Sequence, residues 1–379
     1  MWVPAAGLPL RLALLNLAGA GRFCILRTRA KTRGDPPRRG LSDSSPQLLP
    51  YPDFGESPPW VCKHHLDPKC YVSSRGLAET LVQILWGKCN PGPGVLTQAL
   101  LETGAKVVAL ESDRNFIPHL ESLGNNLDGK LEVVYCDFFK LDPRKCGLVK
   151  PTIMISHVLF QNLGIKALPW SAGIPLKIIG IFPIKNERKA LWKLLYDLYS
   201  CTSIYRHGRV ELNMFISEKE YQKLMANPRN PNLYQVLSVL WQVACEIKVL
   251  HVEPWSSFDV YTQNGQLKKP KHKDSLERMQ QNLYFIRMTP RQNLFTENLT
   301  PINYDVFFHM VKHCFWKRNA SLIEHLRSLS PVDAMDILMQ TRKNEKVKIT
   351  DMYPQDFKRL FETKECSKDY THKWLYDDN

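Results

Sequence analysis

Four short stretches carry residues whose types and spacing could do chemistry. The first is Cys89-Asn90-Pro91-Gly92-Pro93-Gly94-Val95-Leu96-Thr97. Gly92 and Gly94 sit where a tight loop needs close backbone approach to a ligand. The run from Val95 to Glu102 reads as a helix, so the loop feeds a helix N-terminus whose free N–H groups can face that ligand. The second is Lys106 to Glu111, an apolar run closed by an acid, which reads as a buried parallel strand with a carboxylate at its C-terminal end. An acid in that place of a doubly wound sheet bonds a ribose diol. The third is Asp137, directly after an apolar stretch at 131–136. The fourth is Gly180-Ile181-Phe182-Pro183, where a buried strand runs into a loop. For Glu111 and Asp137 the plainer readings are a solvated strand-end acid and a turn cap.

Other side chains offer less. Cys62, His64, His65 and Cys70 lie close in sequence, but their spacing fits no zinc pattern. His309 and His313 are four apart on a helix, with Cys314 adjacent and His325 later, and no acid or cysteine pair completes a metal site. The expectation is no metal. Basic residues cluster at Arg206, His207 and Arg209, at Lys268, Lys269, Lys271 and Lys273, and at Lys317 and Arg318 beside Phe315 and Trp316. A single cluster is an ordinary solvated face. Against a formal net charge of +14 in 379 residues, the clusters point to a polyanion partner, and Lys317 and Arg318 are the first choice for phosphate contacts.

The elements that must position these residues can be read along the chain. Residues 1–34 contain Arg11, Arg22, Arg27, Arg29, Lys31 and Arg33 among leucines and alanines, with no acid before Asp35. That is the composition of a mitochondrial presequence. Residues 35–66, rich in Pro, Ser and Asp, read as a disordered linker. The ten cysteines form no Cys-x-x-Cys pair, which suits a reducing compartment. No apolar run reaches the roughly 18 residues of a membrane span. Leu77 to Trp86 has helical spacing and no breaker. Strands at 106–111, 131–136, 175–183, 209–217, 245–252 and 282–288 alternate with helices at 115–123, 187–200 and 233–243. Residues 142–175 read as an irregular insertion and 262–275 as a polar loop. Alternating strands and helices mean an α/β domain with a parallel-rich sheet, placed at 67–295. From about 296 to 379 only helices follow, at 304–316, 321–329, 331–340 and 354–364, forming a small second domain.

The order of these pieces resembles the ribosomal RNA adenine dimethyltransferases over roughly residues 67–365. The Gly loop with Leu-Thr after it, Glu111, Cys136-Asp137-Phe138-Phe139 and the Gly-x-x-Pro stretch at 180–183 match in order. Cys314 to Leu322 is similar to the family's Phe-x-x-Arg-Arg-Lys-Thr-Leu segment, with Lys317 and Arg318 on the Arg-Arg pair. The presequence, the insertion and Trp255-Ser256-Ser257-Phe258 bring the chain nearest a mitochondrial branch of that family. The resemblance implies a Rossmann-like S-adenosylmethionine-dependent methyltransferase sheet with a small C-terminal helical domain. It implies that Glu111 holds the ribose of S-adenosylmethionine, that Asp137 accepts from its adenine amino group, and that the backbone near Val72 lines the methionine end. It implies two functions. One is initiation in the mitochondrial nucleoid, where the branch helps a single-subunit mitochondrial RNA polymerase open promoter DNA alongside an HMG-box factor. The other is adenine dimethylation on a hairpin of mitochondrial small-subunit rRNA.

Two departures bear on that choice. Family enzymes carry Asn-Leu-Pro and then Tyr or Phe in the catalytic loop; Ile181, Phe182, Pro183 and Ile184 stand there. Isoleucine cannot accept from the substrate amino group, Ile184 offers no ring to a flipped base, and Phe182 is one place early. Weak or absent methylation is expected. Before the Gly loop, Trp86-Gly87-Lys88-Cys89 leaves no room for the apolar strand of about five residues that the family has there. Either this is a truncated or variant product, inert for want of a strand, or Leu81 to Trp86 is drafted into the sheet at the expense of its helix. Impaired cofactor affinity is the expectation.

Overall fold

A computed structural model describes residues 11–16, 69–72, 74–86, 96–112, 116–124, 130–142, 155–183, 186–261 and 281–366. The strands are β1 (Arg11–Asn16), β2 (Lys69–Val72), β3 (Lys106–Glu111), β4 (Leu131–Tyr135), β5 (Leu176–Ile181), β6 (Glu211–Ser217), β7 (Cys245–Pro254), β8 (Phe258–Tyr261) and β9 (Asn282–Pro290). The helices are α1 (Arg75–Trp86), α2 (Leu96–Glu102), α3 (Ile117–Gly124), α4 (Ser156–Asn162), α5 (Glu187–Tyr199), α6 (Glu218–Leu224), α7 (Val236–Ala244), α8 (Tyr304–Trp316), α9 (Leu322–Leu329), α10 (Ala334–Gln340) and α11 (Pro354–Glu365).

Seven strands form one sheet in the order β4-β3-β1-β5-β6-β9-β7. The ladders from β4 through β6 are parallel, and β9 runs antiparallel to both β6 and β7. Strand order therefore reverses at β1: β3 and β4 are laid down on one side, β5 and β6 on the other. This is a doubly wound, Rossmann-like sheet, and its switch point lies at the carboxyl ends of β1 and β5. The apolar runs at β3 and β5 suit strands covered on both faces. Val108, Leu110, Leu176 and Ile178 enter the larger core, while Val107, Ile179 and Ile181 enter a smaller one with α1 and α2.

The structure decides what fills the gap before the Gly loop. Leu81 to Trp86 is not drafted: α1 stays helical to Trp86, with Leu81 and Val82 fully buried. The central place belongs to β1, from the stretch read as presequence. It pairs in parallel with β3, Arg11 facing Lys106 and Asn16 facing Glu111, and with β5, Arg11 facing Leu176 and Leu15 facing Gly180.

Residues 142–175 are not irregular throughout, because α4 lies within them. Asp142 holds its start: one carboxylate oxygen accepts from the Ser156 N–H at 2.9 Å and the other from the Ser203 hydroxyl at 2.7 Å. Gly208 closes this region against the sheet. Its φ is +110°, and a Cβ there would lie 2.9 Å from the Leu168 carbonyl oxygen, so only glycine fits. A second, two-stranded sheet pairs β2 with β8, Val72 facing Phe258. Helices α8 to α11 do not stand apart from the sheet. Phe307, Phe308, Phe357 and Phe361 are buried in the same core as Tyr199 and Trp241, and the Tyr234 hydroxyl donates to the Met352 carbonyl at 2.8 Å.

Candidate cofactor and nucleic-acid sites

Parallel pairing brings the strand-end acids together. Glu111 ends β3, is completely buried, and lies level with Tyr135 of β4 and Asn16 of β1. The Cys136 N–H donates to the Glu111 carbonyl oxygen at 2.9 Å, so the next turn starts directly beside it. Asp137 begins that turn. One of its oxygens accepts from the Phe139 N–H at 3.1 Å, and the other lies 3.2 Å from Lys140 Nζ. The turn cap is therefore real. It does not exhaust the carboxylate, which has about four acceptor positions. Burial, with Asp137 and Asp142 adding to it, pushes the Cys136 thiol up to about 12, so it stays neutral and is no nucleophile.

Val72 is buried in the smaller core with Leu96 of α2 and Ile181 of β5. The structure thus brings the Val72 backbone, the helix that follows the Gly loop and the end of β5 to one cluster. Gly92, Gly94, Ile184 and the lysines at 268, 269, 271 and 273 lie outside the described residues.

At the loop after β5, Phe182 continues the strand pairing, its N–H donating to the Phe215 carbonyl at 2.9 Å. Its ring is 1% exposed and packs 5.7 Å from the Phe139 ring. It is a core residue and presents no face to a base. Ile181 is buried too, and Pro183 is half-buried. Just beyond lies Glu187, which sequence reasoning passed over as one polar residue on a helix. It is 7% exposed, accepts from the Ser217 N–H at 2.8 Å and the Ser217 hydroxyl at 2.5 Å, and ties α5 to the end of β6. Burial raises its carboxyl to about 7, against the opposing pull of both Ser217 bonds.

The basic clusters separate on inspection. Arg206 is exposed, but His207 is buried with its ring 4.7 Å from Phe160. Arg209 donates to the Ala172 carbonyl at 2.5 Å and the Pro290 carbonyl at 3.5 Å. The last two are structural, so this cluster is not a phosphate surface. Lys317 is the C-cap of α8 and is exposed beside Trp316, which is 85% exposed. Arg318 donates to the Pro231 carbonyl. The Lys317 carbonyl accepts from the Ala320 N–H at 3.0 Å and lies 3.1 Å from His325 Nε2, which fixes the backbone under this pair. Phe315 is the anchor: its ring stacks on Phe357 at 5.8 Å. The rings of His309 and His313 are 6.5 Å apart, and those of His313 and His325 are 5.5 Å apart. Burial lowers both His309 and His313, keeping them neutral near pH 7. Among the described residues no three His, Cys, Asp or Glu side chains are grouped as metal ligands.

A family model described as ribosomal RNA adenine dimethylase matches residues 88–365. The chain belongs to that family. It is 64% identical to "Dimethyladenosine transferase 2, mitochondrial" of Homo sapiens, covering 100% of this chain and 99% of that protein. The bovine protein of the same name is 58% identical, over 100% of this chain and 98% of its own. A shorter match, 38% identical over 99 residues, is to "Ribosomal RNA small subunit methyltransferase A" of Caulobacter vibrioides, covering 26% of this chain and 36% of that protein. Among solved structures, a dimethyladenosine transferase from Plasmodium falciparum covers 76% of this chain and 95% of its own at 13% identity and a TM-score of 0.47. The 23S rRNA methyltransferase ErmE covers 77% and 98% at 16% identity and a TM-score of 0.45.

The family depends on S-adenosylmethionine, and the residues present fit it in part. A carboxylate at the carboxyl end of β3 is the group that a ribose diol requires, and the Asp137 turn stands beside it, but the Glu111 side chain as it stands is fully buried and presents no surface to a diol.

Proposed function

We propose that the chain is a mitochondrial transcription initiation factor: a dimethyltransferase scaffold that helps the mitochondrial RNA polymerase melt promoter DNA in the matrix nucleoid, alongside an HMG-box factor. The observation that carries this reading is the loop after β5. A base brought there for methylation needs an acceptor for its amino group and an aromatic face. Ile181 supplies neither and is buried, and the Phe182 ring is turned into the core. The second support is the corner at the end of α8. The exposed Trp316 ring and Lys317 ammonium together suit one unpaired nucleotide, ring on base and ammonium on phosphate. The acidic pair at the cofactor edge then remains as inherited scaffold, and the presequence delivers the chain to the matrix.

The test is run-off transcription from a mitochondrial promoter with the cognate polymerase and its HMG-box factor, with and without this chain. Full-length product that depends on the chain is expected. The other reading is a working rRNA adenine dimethyltransferase on mitochondrial small-subunit rRNA, favoured by Glu111 and Asp137 and by the names of the relatives. In it S-adenosylmethionine supplies the methyl group, Glu111 and Asp137 hold the cofactor, and Lys317 and Arg318 hold the RNA backbone. Methyl transfer to an rRNA hairpin without any effect on run-off transcription would establish that reading instead.

A further inference from the structure

The centre of the sheet is filled by a segment far away in sequence. β3 and β5 do not pair with each other; on the sides that face one another both pair with the strand between them, Leu12 facing Val107 on one side and Lys177 on the other. Adjacent strands lie about 4.8 Å apart, so without β1 the flanking strands would stand roughly twice that distance apart, beyond hydrogen-bond reach. Both are covered above and below by apolar side chains. Their main-chain N–H and C=O groups facing the gap would then have neither a partner nor a route to water. Between α1 and α2 the sequence from Gly87 to Val95 begins Gly-Lys-Cys, continues with Pro91, Gly92, Pro93 and Gly94, and contains no apolar run of strand length. Arg11–Asn16 reads Arg-Leu-Ala-Leu-Leu-Asn, a continuous apolar run of strand length such as a doubly covered parallel strand requires.

We propose that β3 and β5 form a strand-acceptor slot whose resident is Arg11–Asn16, so that the segment read as an import leader is also the sheet's central strand. A chain cut after Asn16 has an open slot, and that slot accepts the same segment as a separate peptide, main chain to main chain in parallel register. Cleavage before Arg11 leaves the sheet whole; cleavage after Asn16 empties it unless the released strand stays bound. Only the timing, at import, rests on the mitochondrial reading. The slot rests on the sheet register.

The test uses amide hydrogen exchange and thermal melting on the full chain, on residues 17–379, and on the full chain carrying Leu14→Pro. Proline removes a ladder donor and is excluded from central strands. Ala18→Pro, just past the strand, is the control. The full chain and the Ala18→Pro variant are expected to protect the amides of 107–110 and 177–180 and to melt once. Leu14→Pro and residues 17–379 are expected to exchange those amides at least a hundredfold faster. A synthetic peptide of residues 8–19 in excess restores protection to residues 17–379, and a scrambled peptide does not. Should residues 17–379 prove insoluble, co-expressed residues 8–19 return them to the soluble fraction. Undiminished protection in residues 17–379, free exchange of these amides in the full chain, or no rescue by the peptide would each overturn the proposal. None of these readouts uses transcription or methyl transfer, so a failed initiation role would leave the result intact.

Discussion

Phe182 and Glu187 show how much one position decides at the loop after β5. In sequence, Phe182 is a misplaced stacking residue; in the structure it is a wall of the core, against Phe139. Truncation to alanine should therefore cost about 3–5 kcal/mol of stability in a denaturant melt, as large-to-small core changes do. A ring that served a base would leave the melt where it was. Glu187 carries a pH signature. Its folded carboxyl is raised to about 7 from 4.5, so the folded chain holds a proton that the unfolded chain has already lost. Its contribution is full below pH 4.5 and is lost as pH rises to about 7, beyond which the slope vanishes. Glu187→Gln should flatten the stability profile between pH 5 and 7, measured by urea midpoints at stepped pH. The same fall in the Gln variant would place the titration elsewhere.

At the scale of elements, the corner after α8 separates two cations that share a motif. Lys317 is exposed, while Arg318 is committed to the Pro231 carbonyl. Lys317→Ala should reduce the salt slope of single-strand DNA binding by about 0.7, one phosphate's worth, and leave the melting temperature alone. Trp316→Ala should weaken the same binding by about 1–3 kcal/mol without changing the slope, since stacking releases no counterion. A Trp316 variant with unaltered affinity would remove the ring from the interface. Most elements were legible in sequence, those with a strong period or an unbroken apolar run most plainly, among them α1, β3, β5, α5, α7, β9 and α8. What escaped had weaker signals. The α6 run is Glu-Lys-Glu-Tyr-Gln-Lys-Leu, held by its Ser217 cap rather than by an apolar stripe. β2 has four residues and finds its partner nearly two hundred positions away. Arg209 and His207 read as surface charge because nothing local tells that a distant carbonyl or ring will cover them. Glu111 and Asp137 were placed correctly at strand ends, but the Asp137 cap and its Lys140 partner depend on the turn that follows. Above all, a missing strand can be noticed in a sequence, whereas its substitute is named only by register.

Across the whole molecule, the described residues contain no helix long and apolar enough to cross a membrane, and the formal net charge of the chain is +14. The larger of the two cores crosses the boundary, natural in sequence, between a sheet domain and a helical domain. The larger core runs from Val108 in β3 through Tyr199 in α5 to Phe307 in α8 and Phe361 in α11. The Tyr199 ring of α5 lies 4.8 Å from Phe308 and 6.1 Å from Phe307, both on α8, so the α/β layer and the helical layer are joined through aromatic contacts that neither can satisfy alone. On that coupling the sheet and the helical layer are expected to unfold together. Phe307→Ala, in the helical layer, should lower the stability of the whole chain by about 3–5 kcal/mol, seen equally by tryptophan fluorescence, by circular dichroism and by exchange at β6. Two separated transitions, with β6 indifferent to the substitution, would mean that the helices fold on their own. The coupling matters for function, because Lys317 and Trp316 sit at the end of the helix that makes these contacts. If a nucleic-acid strand binds at that corner, a single-stranded oligonucleotide is expected to raise the melting temperature of the whole chain, and to do so less in the Trp316→Ala variant.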